Sequence, residues 1–164
     1  MQLRKEFLAR FGGVFEHSAW VAESAWDDRG AAQCRTAEEL HAVMTAAMRA
    51  APREKQLALI NAHPDLAGRL AMAGRLTADS TKEQKSAGLA FLTDDEKARF
   101  TALNDAYKGR FGFPFIMAVK NRTKGEILEA FEARLKHDSE QEFATALNEI
   151  EKIVMFRLRD LLPG

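Results

Sequence analysis

The chain has little of what a disulfide-bonded or membrane-anchored protein needs. Its 164 residues contain one cysteine, Cys34, so no intrachain disulfide can form, and there is no CxxC pair. This cysteine usage fits a reducing compartment. The first residues are charged, and no apolar run approaches the roughly 18 residues that a membrane span needs. We therefore expect a cytoplasmic protein without a leader or a membrane anchor.

An excess of one charge is also absent. Lys and Arg together number 24, as do Asp and Glu, and the formal net charge is +0. Proteins that bind nucleic acid or anionic membranes usually carry a basic face that replaces counterions. We expect neither partner. With 46% hydrophobic and 29% charged residues, the composition is typical of a folded globular protein rather than a disordered one.

Strand-forming residues and chain breakers are few. Valine and isoleucine together number ten, and there are four prolines. Ala, Leu, Glu, Lys and Arg dominate instead, and these residues favour helices. No internal repeat, low-complexity tract or linker divides the chain. We predict one domain, residues 1–164, folded as a compact all-α bundle of about eight helices with no sheet.

Helix starts are indicated by Ser or Thr followed by Glu three residues later, a pairing that satisfies two backbone N–H groups. The pairs are Thr36/Glu39, Ser80/Glu83, Thr93/Glu96, Thr123/Glu126 and Ser139/Glu142. Weaker helical segments are predicted near 2–11, 18–26, 52–61, 66–75 and 80–91, and the last helix runs for about 23 residues. The strand-like stretch 113–119 contains Pro114 and has no partner strand, so we predict a buried connector there.

Motifs for metals and nucleotides are missing. The sequence has no HExxH, no Cys/His cluster, no Glu-x-x-His pair on two helices and no glycine-rich phosphate loop. Cys34 lacks a histidine partner in its sequence context and is interpreted as an unreactive thiol. The chemistry is therefore expected to need no metal and no nucleotide cofactor.

His63 differs from the other three histidines, each of which has a structural explanation at a helix start, inside a helix or at a helix end. It precedes Pro64, and a residue before proline is disfavoured in helical geometry. The imidazole of His63 is therefore attached to a rigid corner of the backbone. A catalytic role and a simple cap on the preceding helix both remain open for His63.

Glu83 also has two interpretations. Ser80 and Glu83 form a capping box, which is a structural role. The same helix N-terminus, with Ser80, Glu83 and Gln84 clustered on it, presents N–H groups suited to an anionic ligand. In that setting Glu83 is a candidate for acid–base work.

Arg157 is separated from Arg159 by helix geometry. At about 100° per residue, Arg157 falls within about 40° of the apolar line that starts at Phe143, whereas Arg159 points about 160° away. A guanidinium in an apolar stripe must be paired or face a ligand. An internal salt bridge and a carboxylate-binding role both satisfy that condition.

Four motifs follow one another from the middle of the chain: His63–Gly68, Ser80–Gln84, Asn104–Tyr107 and Phe111–Ile116. In this order and spacing they resemble the 2-oxo-4-hydroxy-4-carboxy-5-ureidoimidazoline (OHCU) decarboxylases of uric acid breakdown. Phe11–Ser18 and Arg157-Leu158 extend the resemblance over nearly the whole chain. The resemblance implies an all-helical homodimer that converts a small molecule, OHCU, to (S)-allantoin and carbon dioxide without a cofactor.

The resemblance also assigns roles to individual residues. It implies that His63 and Glu83 are catalytic and that Arg157 is the functional arginine, which either clamps the substrate carboxylate or pairs with Glu83. The connector is expected to contact substrate largely through its backbone. The implied substrate contacts are Pro64, Ser80, Thr81, Lys82, Glu83, Gln84, Phe115, Ile116, Met117, Ala118, Val119 and Arg157.

Three alternatives keep the helical fold. The first is a small-molecule binding or regulatory module, which would bind ligand without releasing carbon dioxide. The second is a related enzyme acting on a different ureido or purine-derived acid, because fold and motif determine reaction class better than substrate. The third is an interaction protein that uses the surface of its long final helix.

Overall fold

A computed structural model of the chain describes residues 3–15, 18–63, 93–118 and 122–162. Within these ranges there are seven α-helices and one short 3₁₀ helix, and no residue lies in a strand. The predicted all-α class is confirmed. The α-helices are α1 Arg4–Phe11, α2 Trp20–Asp28, α3 Ala37–Ala50, α4 Arg53–Ala62, α5 Asp94–Phe111, α6 Lys124–Arg134 and α7 Ser139–Leu161.

The predicted segments near 2–11, 18–26 and 52–61 correspond to α1, α2 and α4 within a few residues. Those near 66–75 and 80–91 lie outside the described residues. No helix among the described ranges combines the length and apolar character that crossing a membrane requires.

Helix starts follow the predicted capping boxes in three places. Thr36, Thr93 and Thr123 each accept a hydrogen bond from the backbone N–H of the Glu three residues later. The Glu side chain in turn accepts from the backbone N–H of the Thr. The Ser80/Glu83 box lies outside the described residues.

The predicted Ser139/Glu142 box is wrong by one residue. Asp138 caps α7: its carboxylate accepts from the Gln141 N–H at 2.8 Å, and the Gln141 side chain accepts from the Asp138 N–H at 3.0 Å. Aspartate caps as well as serine does, and glutamine closes the box as glutamate would. Because Glu142 is not part of the capping box, its carboxylate is available for hydrogen bonds in the protein interior.

By contact, the chain divides into two compact units. Unit 1 comprises Met1–Ala62 with Ile150–Gly164, and unit 2 comprises His63–Glu149. Helix α7 supplies its first half to unit 2 and its second half to unit 1. The prediction of a single domain over 1–164 stays a prediction.

Unit 1 is built on apolar faces of α1 to α4 and the end of α7. Helix α2 packs against α1 and α3, and the Phe7 ring lies 5.1 Å from both Phe11 and Trp26, centroid to centroid. Its buried residues include Phe7, Phe11, Val14, Phe15, Val21, Leu40, Met44, Met48, Leu59, Ile60, Ile150, Val154 and Leu158. Removing such side chains from water supplies the main stabilising free energy of the unit.

Unit 2 has an aromatic core. Helix α5 ends at Gly112, which caps it in the left-handed conformation at φ 79°, a backbone conformation that glycine adopts without steric cost. The segment Phe113–Ala118, called the connector below, then runs buried into the core. Tyr107 makes ring contacts with Phe111, Phe113, Phe115 and Phe131.

Candidate active site

The connector confirms the predicted buried, non-strand segment as far as Ala118, and Val119 lies outside the described residues. All six of its side chains are buried. Phe115 stacks on Phe131 with centroids 3.7 Å apart and planes 14° apart. The Arg134 guanidinium carbon lies 4.3 Å from the centroid of the Phe115 ring. Stacking and the cation–π contact hold this side chain in one orientation.

Two charged side chains bind the connector backbone directly. Arg134 Nη1 donates to the Ile116 carbonyl, and the Ala118 N–H donates to Glu149 Oε1 at 3.2 Å. Arg134 and Glu149 are both buried. Hydrogen bonds to charged groups are stronger than neutral ones, so the connector is held firmly at two points.

Glu142 is the centre of a buried polar network in unit 2. Its carboxylate accepts from the Tyr107 hydroxyl at 2.6 Å and from Arg134 Nε at 2.8 Å. His137 Nδ1 lies 2.8 Å from the other carboxylate oxygen. Burial, with the hydrogen bond to Glu142, raises the pKa of Tyr107 well above its usual range. The phenol therefore stays protonated and acts as a donor to the carboxylate.

His63 directly follows α4, at the position where the sequence predicts a rigid corner. The helix ends at Ala62, and His63 is 2% exposed. A buried imidazole is shielded from bulk water, which is a condition for controlled proton transfer. Its burial is compatible with the catalytic role and with the structural one.

Arg157 lies on the buried face of α7, as the angular argument predicts. It is 2% exposed, and its Nη1 donates to the Val14 carbonyl at 3.0 Å. Arg159 points outward, with a side chain that is 57% exposed and lies 3.6 Å from Glu38. The structure thus adds a backbone carbonyl to the two kinds of partner that the sequence left open for Arg157.

The other predicted site residues, Pro64, Ser80, Thr81, Lys82, Glu83, Gln84 and Val119, lie outside the described residues. The catalytic roles that the resemblance implies for His63 and Glu83 therefore stay predictions. Within the described ranges, no group of three or more His, Cys, Asp or Glu side chains is placed to hold a metal ion.

The sequence reasoning missed Arg134, Glu142 and Glu149. The angular argument that selects Arg157 also finds Arg134, which follows Ile127 and Phe131 on one face of α6. It does not find Glu142 and Glu149, which lie roughly 100° to 120° from the line that starts at Phe143. On α7, Glu142 and Glu149 share a face with the buried residues Ala146 and Ile153. A charged residue inside an apolar helical stripe was the available signal for Arg134.

Known proteins match this chain over nearly its whole length. A crystal structure of an (S)-allantoin synthase superposes with a TM-score of 0.79 at 36% identity, covering 98% of this chain and 51% of that one. The OHCU decarboxylase of Halalkalicoccus jeotgali is 40% identical over 96% of this chain and 86% of its own length. The uric acid degradation bifunctional protein PucL of Bacillus subtilis is 45% identical over 92% of this chain, which spans 29% of PucL.

These likenesses define the chain as an all-α enzyme of the carboxy-lyase class. The family model described as OHCU decarboxylase matches residues 2–159. The chain therefore belongs to the OHCU decarboxylase family.

Proposed function

We propose that this chain decarboxylates OHCU to (S)-allantoin and carbon dioxide, a step of uric acid degradation, without a cofactor. The observation that carries the proposal is the family match over residues 2–159, which includes all of unit 2 and most of unit 1. The buried His63 and the backbone-anchored connector support it from the structure.

The substrate's own structure makes a cofactor unnecessary. OHCU carries a hydroxyl and a carboxylate on one carbon, next to a carbon that is doubly bonded to nitrogen. When the bond to the carboxylate breaks, its electron pair moves toward that C=N group and leaves an enol-like intermediate. The nitrogen of that group takes up a proton as the carbon–carbon double bond of the enol forms. A second proton is then added to the neighbouring carbon while the hydroxyl loses its own proton, so that the hydroxyl-bearing carbon becomes a carbonyl. Delivery of the proton to one face sets the stereocentre, which calls for a fixed acid.

His63 is our candidate for that acid, with Glu83 orienting it and tuning its basicity. The burial of His63 is compatible with the assignment, since an acid that bulk water does not reach can deliver its proton from a fixed position. Pro64, Ser80 to Gln84 and the connector would hold the ring and ureido groups. Arg157 would clamp the carboxylate or pair with Glu83.

We predict that His63→Asn lowers the rate of stereospecific turnover by about 10² to 10⁴, the usual contribution of a general acid. Folding should change little. OHCU is generated freshly from urate, and optical rotation is followed against the spontaneous background. The matched control is His41→Asn, which makes the same substitution at a histidine with a structural role. The His41 Nε2–H donates to the Glu151 carbonyl at 2.8 Å in unit 1. Near-normal production of (S)-allantoin by His63→Asn would remove the histidine from the mechanism.

A homodimer in the cytoplasm completes the proposal. The dimer is implied by the family resemblance, and the free thiol of Cys34 is compatible with a reducing compartment. Light scattering coupled to size-exclusion chromatography should give twice the 18.3 kDa chain mass. A mass equal to one chain at micromolar concentration would contradict the dimer.

A further inference from the structure

Arg134 and Glu149 bind the connector on either side of one residue, Met117. Arg134 donates to the carbonyl of the residue before it, and Glu149 accepts from the N–H of the residue after it. Arg134 is held in turn by Glu142 and lies 3.4 Å from the Tyr107 hydroxyl. The anchors are therefore part of the buried network rather than mobile surface side chains.

These two anchors determine where the backbone of Met117 points. The described peptide bonds are all trans, and in a planar trans peptide the C=O and the N–H point in opposite directions. The Met117 N–H therefore points away from Arg134, and the Met117 C=O points away from Glu149. Neither group has a hydrogen bond within the part of the chain that the structure describes. Buried backbone groups normally have partners.

We propose that Arg134 and Glu149 are positioning residues that aim the Met117 N–H and C=O at an amide or ureido edge of the substrate. The inference rests on the proposed function, because OHCU offers such an edge, with an N–H and a C=O side by side. A donor and an acceptor on one residue match that edge only if both peptide planes are held in the correct rotation. Two charge-assisted hydrogen bonds provide that constraint.

The first test replaces Glu149 by alanine and by glutamine. Alanine removes the acceptor of the Ala118 N–H, whereas the side-chain amide oxygen of glutamine preserves an acceptor there. Glu149→Ala should raise KM about 3- to 10-fold with kcat changed less than about 2-fold, and Glu149→Gln should restore KM to within about 2-fold. The amide or ureido edge is bound in both the ground state and the transition state. Loss of an interaction made equally in both states raises KM and leaves kcat nearly unchanged.

The matched control is Glu151→Ala. Glu151 lies two residues further along α7 and pairs with Arg49 at 2.9 Å in unit 1, so this variant loses an ion pair without touching the connector. Its KM should equal that of the unaltered chain. A rise in KM equal to that of Glu149→Ala would show a general effect of destabilisation and would overturn the proposal.

Arg134→Lys provides a second variant if Glu149→Ala does not fold. Lysine keeps a positive charge opposite Glu142 but replaces three contacting nitrogens by one ammonium group. KM should rise in the same range, with kcat again little changed. An Arg134→Lys protein that is folded by circular dichroism and has an unaltered KM would contradict the positioning role.

Hydrogen exchange separates this inference from the proposed function. The Ala118 amide should exchange about 10-fold faster in Glu149→Ala than in the unaltered chain or in Glu149→Gln, whether or not OHCU is the substrate. If the unaltered chain does not turn over OHCU, the proposed function fails. The exchange rate of the Ala118 amide then shows by itself whether Glu149 anchors the connector. If it does turn over OHCU while Glu149→Ala keeps both KM and slow exchange, the positioning role fails. Equal defects in the alanine and glutamine variants would also contradict it.

Discussion

Glu142 is a fully buried carboxylate with hydrogen bonds from Tyr107 and Arg134 and with His137 beside it. Taking a carboxylate out of water costs several kcal/mol, and the charge and donors around it offset that cost. Removing one partner leaves the charge under-compensated. At the scale of single residues, the stability of unit 2 therefore depends on this network as well as on its aromatic rings.

Tyr107 is the only tyrosine of the chain, so its ionisation can be followed by its ultraviolet absorbance. Its pKa is raised in the folded protein, chiefly by burial. The folded state therefore keeps its proton above about pH 10, where the unfolded chain loses it, and stability falls as pH rises beyond that value. We predict that tyrosinate forms only together with unfolding. Ionisation near the usual tyrosine pKa with unchanged circular dichroism would contradict this.

Arg157 and Arg159 form a matched pair on α7. Arg157→Met should lower the free energy of unfolding by about 1 to 3 kcal/mol, because it leaves the buried Val14 carbonyl without its guanidinium donor. Arg159→Met should change it by less than about 0.5 kcal/mol, as expected at an exposed position. Urea unfolding of both variants measures the difference. Equal effects would show that the two side chains do not differ in burial as described.

At the scale of helices, local sequence signals located α3, α5 and α6 because a capping box acts over four residues. For α7 the sequence predicts a start one residue too late, since Asp138/Gln141 and Ser139/Glu142 are both acceptable boxes by local rules. The choice between them was made by burial: Glu142 has partners on α5 and α6. Tyr107 is 35 residues from Glu142 in sequence and Arg134 is 8, so a four-residue capping pattern contains neither partner.

The shifted cap is testable with neighbouring substitutions. Asp138→Ala should cost about 1 kcal/mol of stability, the usual value of a helix N-cap, whereas Ser139→Ala should be close to neutral. Thermal or urea unfolding of the two variants gives the comparison. A larger loss in Ser139→Ala would restore the box predicted from sequence.

At the scale of the whole molecule, α7 is shared by the two units, and each unit has its own optical probe. Trp20 and Trp26 both lie on α2 in unit 1, and Tyr107 lies in unit 2. Because a continuous helix is cooperative along its length, we predict that both units unfold in one transition. Tryptophan fluorescence and the fluorine NMR signal of fluorotyrosine should give the same urea midpoint. Separate midpoints would show two independently folding units and contradict the single domain.

Composition and periodicity were sufficient to predict the all-α class, most of the described helices, the buried connector and the inward direction of Arg157. Helix positions and the direction of Arg157 depend on residues of one continuous helical segment, where side-chain geometry repeats regularly. The motifs, taken in their order along the chain, were sufficient to identify the family. The connector's anchoring by Arg134 and Glu149, and the network around Glu142, join residues up to 35 positions apart. Only packing brings such groups together, because burial makes each charged side chain take the nearest complementary partner in space rather than in sequence.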